Sequence, residues 1–224
     1  MRVLAVETST RAGGVALLEN ERLVAEYLLD VSVTHSERLL AAIDHVIADA
    51  GWAAGDLQGL AVAAGPGSFT GLRVGISTVK GLALALGVPV AAVPTLDAMA
   101  AAMPWASLPV CPVLQARRNE VYGALYRWDG ESVRRESDYL AVSPDELAAR
   151  LSEPTIVLGD AADAIRSPHA RRVPPPRRVP SPACVAILGR ARLLLGETVS
   201  AAGLAPFYLR PSEAELRRRV AAGR

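Results

Sequence analysis

Apolar positions along the chain fall into runs whose period changes repeatedly between strand-like and helix-like. RVLAVE at the start is a short apolar run with the pattern of a strand, and GGVALLE and RLVAEYLL follow it across a turn at Asn20. The chain therefore opens as three strands in a row. Beyond residue 33 the period lengthens. In THSERLLAAIDHVIADAG, Leu39, Ile43, Val46, Ile47 and Ala50 recur at helical spacing and Gly51 ends the run. Thr34 and Glu37 form a capping box there, each side chain satisfying an orphan amide at the helix start. GLAVAA reads as a buried strand. A glycine-rich turn leads into a helix over about 69–86, then come the strand PVAAV and the short helix TLDAMAAAM.

The second half repeats this order. PVCPVLQ, NEVYGALYRW and the 131–142 region read as three strands, and SPDELAARL as a helix capped by Ser143, with Pro144 in its first turn and Glu146 closing the box. TIVLG is a strand and DAADAI starts a short helix. The element order β-β-β-α-β-α thus appears twice, which predicts a duplicated α/β architecture of sheets covered by helices, divided into residues 1–103 and 104–224. Residues 167–182, SPHARRVPPPRRVPSP, carry six prolines and four arginines. Proline density excludes a helix or a central strand, so the expectation is an exposed polyproline connector, dispensable for folding; its alternative is a basic arm touching RNA phosphate. The end of the chain, LRPSEAELRRRVAAGR, reads as a short basic helix or frayed tail.

Composition changes this picture little. Hydrophobic residues make up 51% of 224, enough for a substantial core. The net charge of +1 points to neither nucleic acid nor an acidic surface, although residues 1–103 hold 6 basic and 10 acidic side chains against 18 and 13 in the rest. The two cysteines, Cys111 and Cys184, lack metal-ligand spacing. No signal peptide precedes the first strand, and no apolar run reaches about 18–20 residues without a charge or proline, so a cytosolic protein with no membrane span is expected.

The stretch AAGPGSFTGLRVGISTVKGLALAL is the strongest candidate for chemistry, because glycine loops between a strand and a helix often cradle phosphates. A Walker A loop, G-x-x-x-x-G-K-[ST], has its second glycine five residues after the first and Lys next; here Gly65 is followed five residues on by Thr70 and Gly67 by Leu72, and Lys80 lies well inside the helix. A dinucleotide fingerprint fails by one residue, since Gly65 and Gly67 are followed by Gly71. Close packing of a small-residue helix on a neighbour is therefore favoured over phosphate binding. Ser68 lacks the pattern of a nucleophile elbow and reads as a helix cap. His35, His45 and His169 are never four apart, carboxylates are scattered, and His35 and His45 read as solvated or at an interface. The residues present no catalytic set, no metal site and no cofactor site.

The segments VLAVETST, AAGPGSFTGLRVGISTVKGLA, ARRNEVYGALY and PFYLR, in this order, resemble the TsaB (YeaZ) family. The resemblance implies the actin-like, sugar-kinase-like and Hsp70-like superfold. It implies a subunit without catalysis of its own, pairing as scaffold and activator with TsaD in the threonylcarbamoylation of adenosine next to the anticodon of tRNAs reading ANN codons. A TsaE-like ATPase would act on the complex, tRNA would be met through it, and the isolated chain would form a homodimer. TsaD-like chains carry a metal-binding H-x-x-x-H pair where this chain has VPTLDAMA, so that Thr95 and Met99 occupy the histidine positions. Glu7-Thr8-Ser9 stands at the first phosphate loop of the superfold. Gln115-Ala116-Arg117 replaces the Asp-Ala-Arg of many members.

The resemblance further implies that the two long helices of the first half meet the partner. Leu39, Ile43, Val46 and Ile47 on one helix, and Leu72, Ile76, Val79 and Ala83 on the other, share core-facing stripes. Leu40, Ala41, Asp44 and His45 remain for the interface, with Gly71, Arg73, Gly75, Ser77, Thr78, Lys80 and Gly81. Three other readings stand beside this one: an active phosphotransferase of the same superfold, a metallopeptidase, and a homodimeric binding module with no enzyme partner.

Overall fold

The computed structural model of the chain describes residues 1–30 and 35–210, and of residues 35–37 the backbone alone. The capping pair Thr34–Glu37, the side chain of His35 and the tail beyond residue 210 lie outside the described residues.

β1 (Arg2–Glu7), β2 (Gly13–Glu19) and β3 (Arg22–Leu29) form an antiparallel meander. The turn between β2 and β3 places Asn20 at φ 55, a left-handed conformation that asparagine tolerates. β4 (Gly59–Gly65) and β5 (Val90–Pro94) join in parallel on the other side of β1, giving the order β3-β2-β1-β4-β5. β1 is apolar from Val3 to Val6 because both faces are covered. Leu4 and Val6 pack under α1 (His35–Asp49) and α2 (Phe69–Leu86), together with Leu39, Ile43, Val46, Ile47, Ile76 and Val79, the stripes expected from the periodicity. Val3 and Ala5, one residue out of phase, face the opposite layer.

The second sheet contains β6 (Val110–Gln115), β7 (Val121–Gly123), β8 (Tyr126–Trp128), β9 (Val133–Arg135), β10 (Leu140–Val142), β11 (Thr155–Leu158) and β12 (Ala170–Arg172), in the order β10-β7-β6-β11-β12 with β8 between β6 and β9. Counting β7 with β8 and β9 with β10, its order repeats that of the first sheet. The run NEVYGALYRW, expected as one strand, is interrupted at Ala124–Leu125, and the 131–142 strand opposite it is interrupted too. The interruptions brace each other: Leu125 N–H donates to Ser137 Oγ at 2.9 Å, and Glu136 N–H donates to Leu125 O at 2.8 Å. α4 (Pro144–Ala149) is capped as expected, Glu146 N–H donating to Ser143 Oγ at 3.2 Å and Ser143 N–H to Glu146 Oε2 at 2.9 Å. DAADAI contributes only a single 3-10 turn at Ala162–Ala164.

Two expectations need correction. Residues 167–182 are not a polyproline connector throughout, although the proline run 174–176 is exposed as expected. Ala170–Arg172 form β12, parallel to β11 at the sheet edge, where the missing donors of proline cost least. Val173 is buried beside Leu96, Tyr126 and Leu158. Three of its four arginines bond within the chain: Arg172 donates to Ala162 O and Ile165 O, Arg171 to Pro168 O, and Arg178 to Val173 O and Asp163, while Arg177 is exposed. The segment thus has interior contacts that a dispensable linker lacks.

Nor does a division at 103/104 separate the packing. It separates the two sheets in sequence, but α5 (Pro182–Leu194) returns to the first. Ala183, Val185, Ala186 and Leu193 cover Val3, Ala5, Leu18, Ala61 and Val93. Conversely α3 (Thr95–Ala101) sends Leu96 and Met99 against Val110, Leu114 and Tyr126 of the second sheet. Five layers result: α1 and α2, the first sheet, α3 and α5, the second sheet, and α4.

Candidate partner interface

The glycine-rich stretch is built for close packing within the chain. Ser68 caps α2 by accepting from Gly71 N–H at 3.2 Å, and Ser68 N–H donates to Ser9 O at 2.6 Å. Thr8 Oγ1 donates to Gly71 O at 2.8 Å. A Cβ on Gly67 would run into Ser9 O, one on Gly71 into Thr8 O, and one on Gly75 into Thr8 Oγ1. The first turns of α2 therefore lie on the buried loop Glu7–Thr10, where a phosphate loop would need open amides. This corrects two assignments: Gly71 and Gly75 are buried against Thr8 and are not on the exposed side of α2.

The other proposed interface residues divide as the periodicity requires. On α1, Leu40, Ala41, Asp44 and His45 are exposed, Leu40 by 57%. His45 Nε2 lies 3.4 Å from Asp49 Oδ2, one helical turn on. On α2, Arg73, Ser77 and Gly81 are exposed, and Thr78 and Lys80 are half-buried. Gly81 differs from the buried glycines, since a Cβ there meets nothing within 4 Å. Glycine inside a helix costs roughly 1 kcal/mol against alanine, and among the described residues no close neighbour accounts for it at Gly81. Leu84, 76% exposed on the same side of α2, belongs with this group. Its position one residue past the last core residue, Ala83, could have identified it. α2 is also the one helix among the described residues long and apolar enough to cross a bilayer, yet Leu72, Ile76, Val79 and Ala83 bury one face of it in the core.

A further group at this surface joins residues far apart in sequence. Phe69 and Tyr208 stack with ring centroids 5.3 Å apart and planes at 24°. Arg73 also lies over the Phe69 ring, its Cζ 3.8 Å from the ring centroid, and donates through Nε to Tyr208 OH at 3.2 Å. The chain reaches this place because Phe207 N–H donates to Ala64 O at 2.7 Å beside the left-handed Gly65. Sequence spacing gives no sign of the group, whose Arg73 and Tyr208 are 135 positions apart.

Elsewhere the candidate chemistry is absorbed into structure. Glu7 is fully buried, and desolvation pushes its carboxyl up to about 7 against the hydrogen bond from Ser9. Its Oε2, with Ser9 Oγ and Thr95 Oγ1, has no hydrogen-bond partner among the described residues. Thr95 and Met99 are core side chains of α3, and this donor set does not fit the metal of TsaD-like chains. Gln115 Nε2 donates to Arg117 O at 2.6 Å and Glu120 O at 3.0 Å, closing the β6–β7 turn with a donor that aspartate lacks. A cleft of about 430 Å³ lies beside Thr10, Ala12 and Asp160, but its cations are engaged: Arg11 pairs with Asp30 at 2.8 Å and Arg178 with Asp163 at 2.7 Å. Burial pushes the Cys111 thiol up to about 12, which suits a core residue and not a nucleophile.

Residues 30–173 match the family model described as TsaD, tRNA N6-adenosine threonylcarbamoyltransferase. The chain is 31% identical over 229 residues to the tRNA threonylcarbamoyladenosine biosynthesis protein TsaB of Bacillus subtilis, across 96% of each chain. To TsaB of Escherichia coli it is 35% identical over 150 residues, 66% of this chain and 64% of that one. Among solved structures, YeaZ from Pseudomonas aeruginosa superposes with a TM-score of 0.80 at 29% identity, covering 93% of this chain and 99% of that one. The fold is the actin-like, sugar-kinase-like and Hsp70-like superfold, with the same sheet order in both halves.

Proposed function

The chain belongs to the TsaB (YeaZ) family of tRNA threonylcarbamoyladenosine biosynthesis proteins, and from that premise we propose that it is a non-catalytic subunit that pairs with a TsaD-like chain through the outer faces of α1 and α2. The TsaD-like chain would carry out threonylcarbamoylation next to the anticodon of tRNAs reading ANN codons, and this chain would hold it in its working form. A TsaE-like ATPase meets the assembled pair, tRNA is reached through the complex, and the complex works in the cytoplasm. In isolation the same face closes on a second copy.

The observation that carries this reading is the outer face of the two helices. Leu40 and Leu84 are exposed, and between the charged positions stand Ala41, Ser77 and the unexplained Gly81. Small residues let a facing backbone come close, and exposed leucines supply apolar area to bury. A phosphotransferase reading has less support, because the loop Glu7–Thr10 is covered by α2.

The test is Ser77→Glu, alone and with Leu40→Arg. Both positions are exposed, so circular dichroism and melting temperature should stay near wild type while pull-down of a TsaD-like subunit is lost. A folded double variant that still captures the subunit at full affinity removes these helices from the interface. Failure of the wild-type chain to co-purify with such a subunit removes the pairing itself.

A further inference from the structure

We propose that Arg73 is a recognition residue of this surface, held rigidly outward to receive a carboxylate of the partner subunit. The proposal rests on the pairing argued above. A free arginine on a helix spends much of its time in other rotamers, and ordering it on binding is costly. Here that ordering is complete beforehand. Arg73 Cζ lies 3.8 Å from the Phe69 ring centroid, Phe69 stacks with Tyr208, and Nε is engaged with Tyr208 OH. The terminal amino groups remain, and among the described residues no carboxylate pairs with Arg73, although eight other arginines do find one. A preorganised arginine with its fork open, beside aromatic rings, is the residue type on which binding energy concentrates at protein interfaces.

Its position fixes what can reach it. Arg73, Ser77 and Gly81 stand at i, i+4 and i+8, one row along the exposed side of α2. A chain lying close over Ser77 and Gly81 passes Arg73 at the end of the row. The fork fits a carboxylate or a phosphate equally in shape. The surroundings decide between them: the half of the chain carrying this row holds 6 basic and 10 acidic side chains, which repels a polyanion such as RNA but tolerates one carboxylate in a protein interface.

The experiment measures affinity for a TsaD-like subunit by titration at low and high NaCl, with Arg73→Ala, Arg73→Lys and Tyr208→Leu compared with wild type and Ser77→Glu. Arg73→Ala should weaken pairing by about 10-fold or more and flatten its salt dependence. Arg73→Lys should keep the salt dependence but recover only part of the affinity, because an ammonium group neither forks nor stacks in the same way. Tyr208→Leu should weaken pairing several-fold with an unchanged circular dichroism spectrum, the signature of a positioning role. Wild-type affinity and salt dependence in Arg73→Ala, alongside loss of binding in Ser77→Glu, would overturn the proposal while leaving the interface standing. Unchanged pairing with weakened tRNA binding by the assembled complex would assign Arg73 to phosphate and overturn it too. Failure of the wild-type chain to pair at all would take both proposals down together.

Discussion

Glycines at single positions on α2 have opposite meanings, and substitution should separate them. Gly71→Ala drives a methyl into Thr8 O and should lose about 1–3 kcal/mol in denaturant unfolding, as overpacking does. Gly81→Ala meets open space and should gain roughly 1 kcal/mol, while weakening association with the partner. The sequence showed that α2 is rich in small residues and needs a close neighbour. It could not show that for Gly71 and Gly75 the neighbour is the chain's own loop at Thr8, because that loop lies more than 60 positions away and only the sheet pairing of β1 with β4 brings it there. Glu7 offers a second test at this scale. Its native value of about 7 stands above the 4.5 of an exposed glutamate. Below pH 4.5 both states are protonated and the native state keeps its full stability. Between about 4.5 and 7 the unfolded chain ionises first, so stability falls with rising pH, by about 3 kcal/mol in all. Glu7→Gln should unfold at nearly the same denaturant concentration at pH 5 and pH 8, and should exceed wild type at pH 8.

Among the elements, legibility followed the source of each boundary. The ends of α2 are local: Ser68 caps it and Gly87, at φ 68, stops it, so periodicity and caps placed it at 69–86. The interruptions between β7 and β8 and between β9 and β10 arise from hydrogen bonds linking Leu125 to residues 136 and 137, which no local pattern announces. β12 was missed because its proline-rich surroundings argue against a strand, whereas its three residues need only one bonded neighbour, β11. The arginines of this segment make the correction testable. Arg172→Ala removes hydrogen bonds to Ala162 O and Ile165 O and should cost about 2 kcal/mol. Arg171→Ser, which gives up only contacts to nearby carbonyls, should melt within a degree or two of wild type.

Across the whole molecule, the duplicated element order was legible but the interlacing of the halves was not, since periodicity identifies which face of α5 is apolar and not which sheet it covers. Residues 1–103 expressed alone should therefore fail to fold. Without α5, the faces of Val3, Ala5, Leu18, Ala61 and Val93 stand open, and Gly189 no longer seats against Ala61. A collapsed amide spectrum and aggregation are expected of this fragment; a well-dispersed spectrum would show that α5 is an accessory.

The return of α5 also sets a timetable. A ribosome delivers β5, the last strand of the first sheet, at residue 94, and completes α5 only at residue 194. At about 5–20 residues per second, the interval is on the order of 5–20 s. During it the first sheet exists as a nascent chain, and the face of Val3, Ala5, Ala61 and Val93 stays uncovered until α5 emerges.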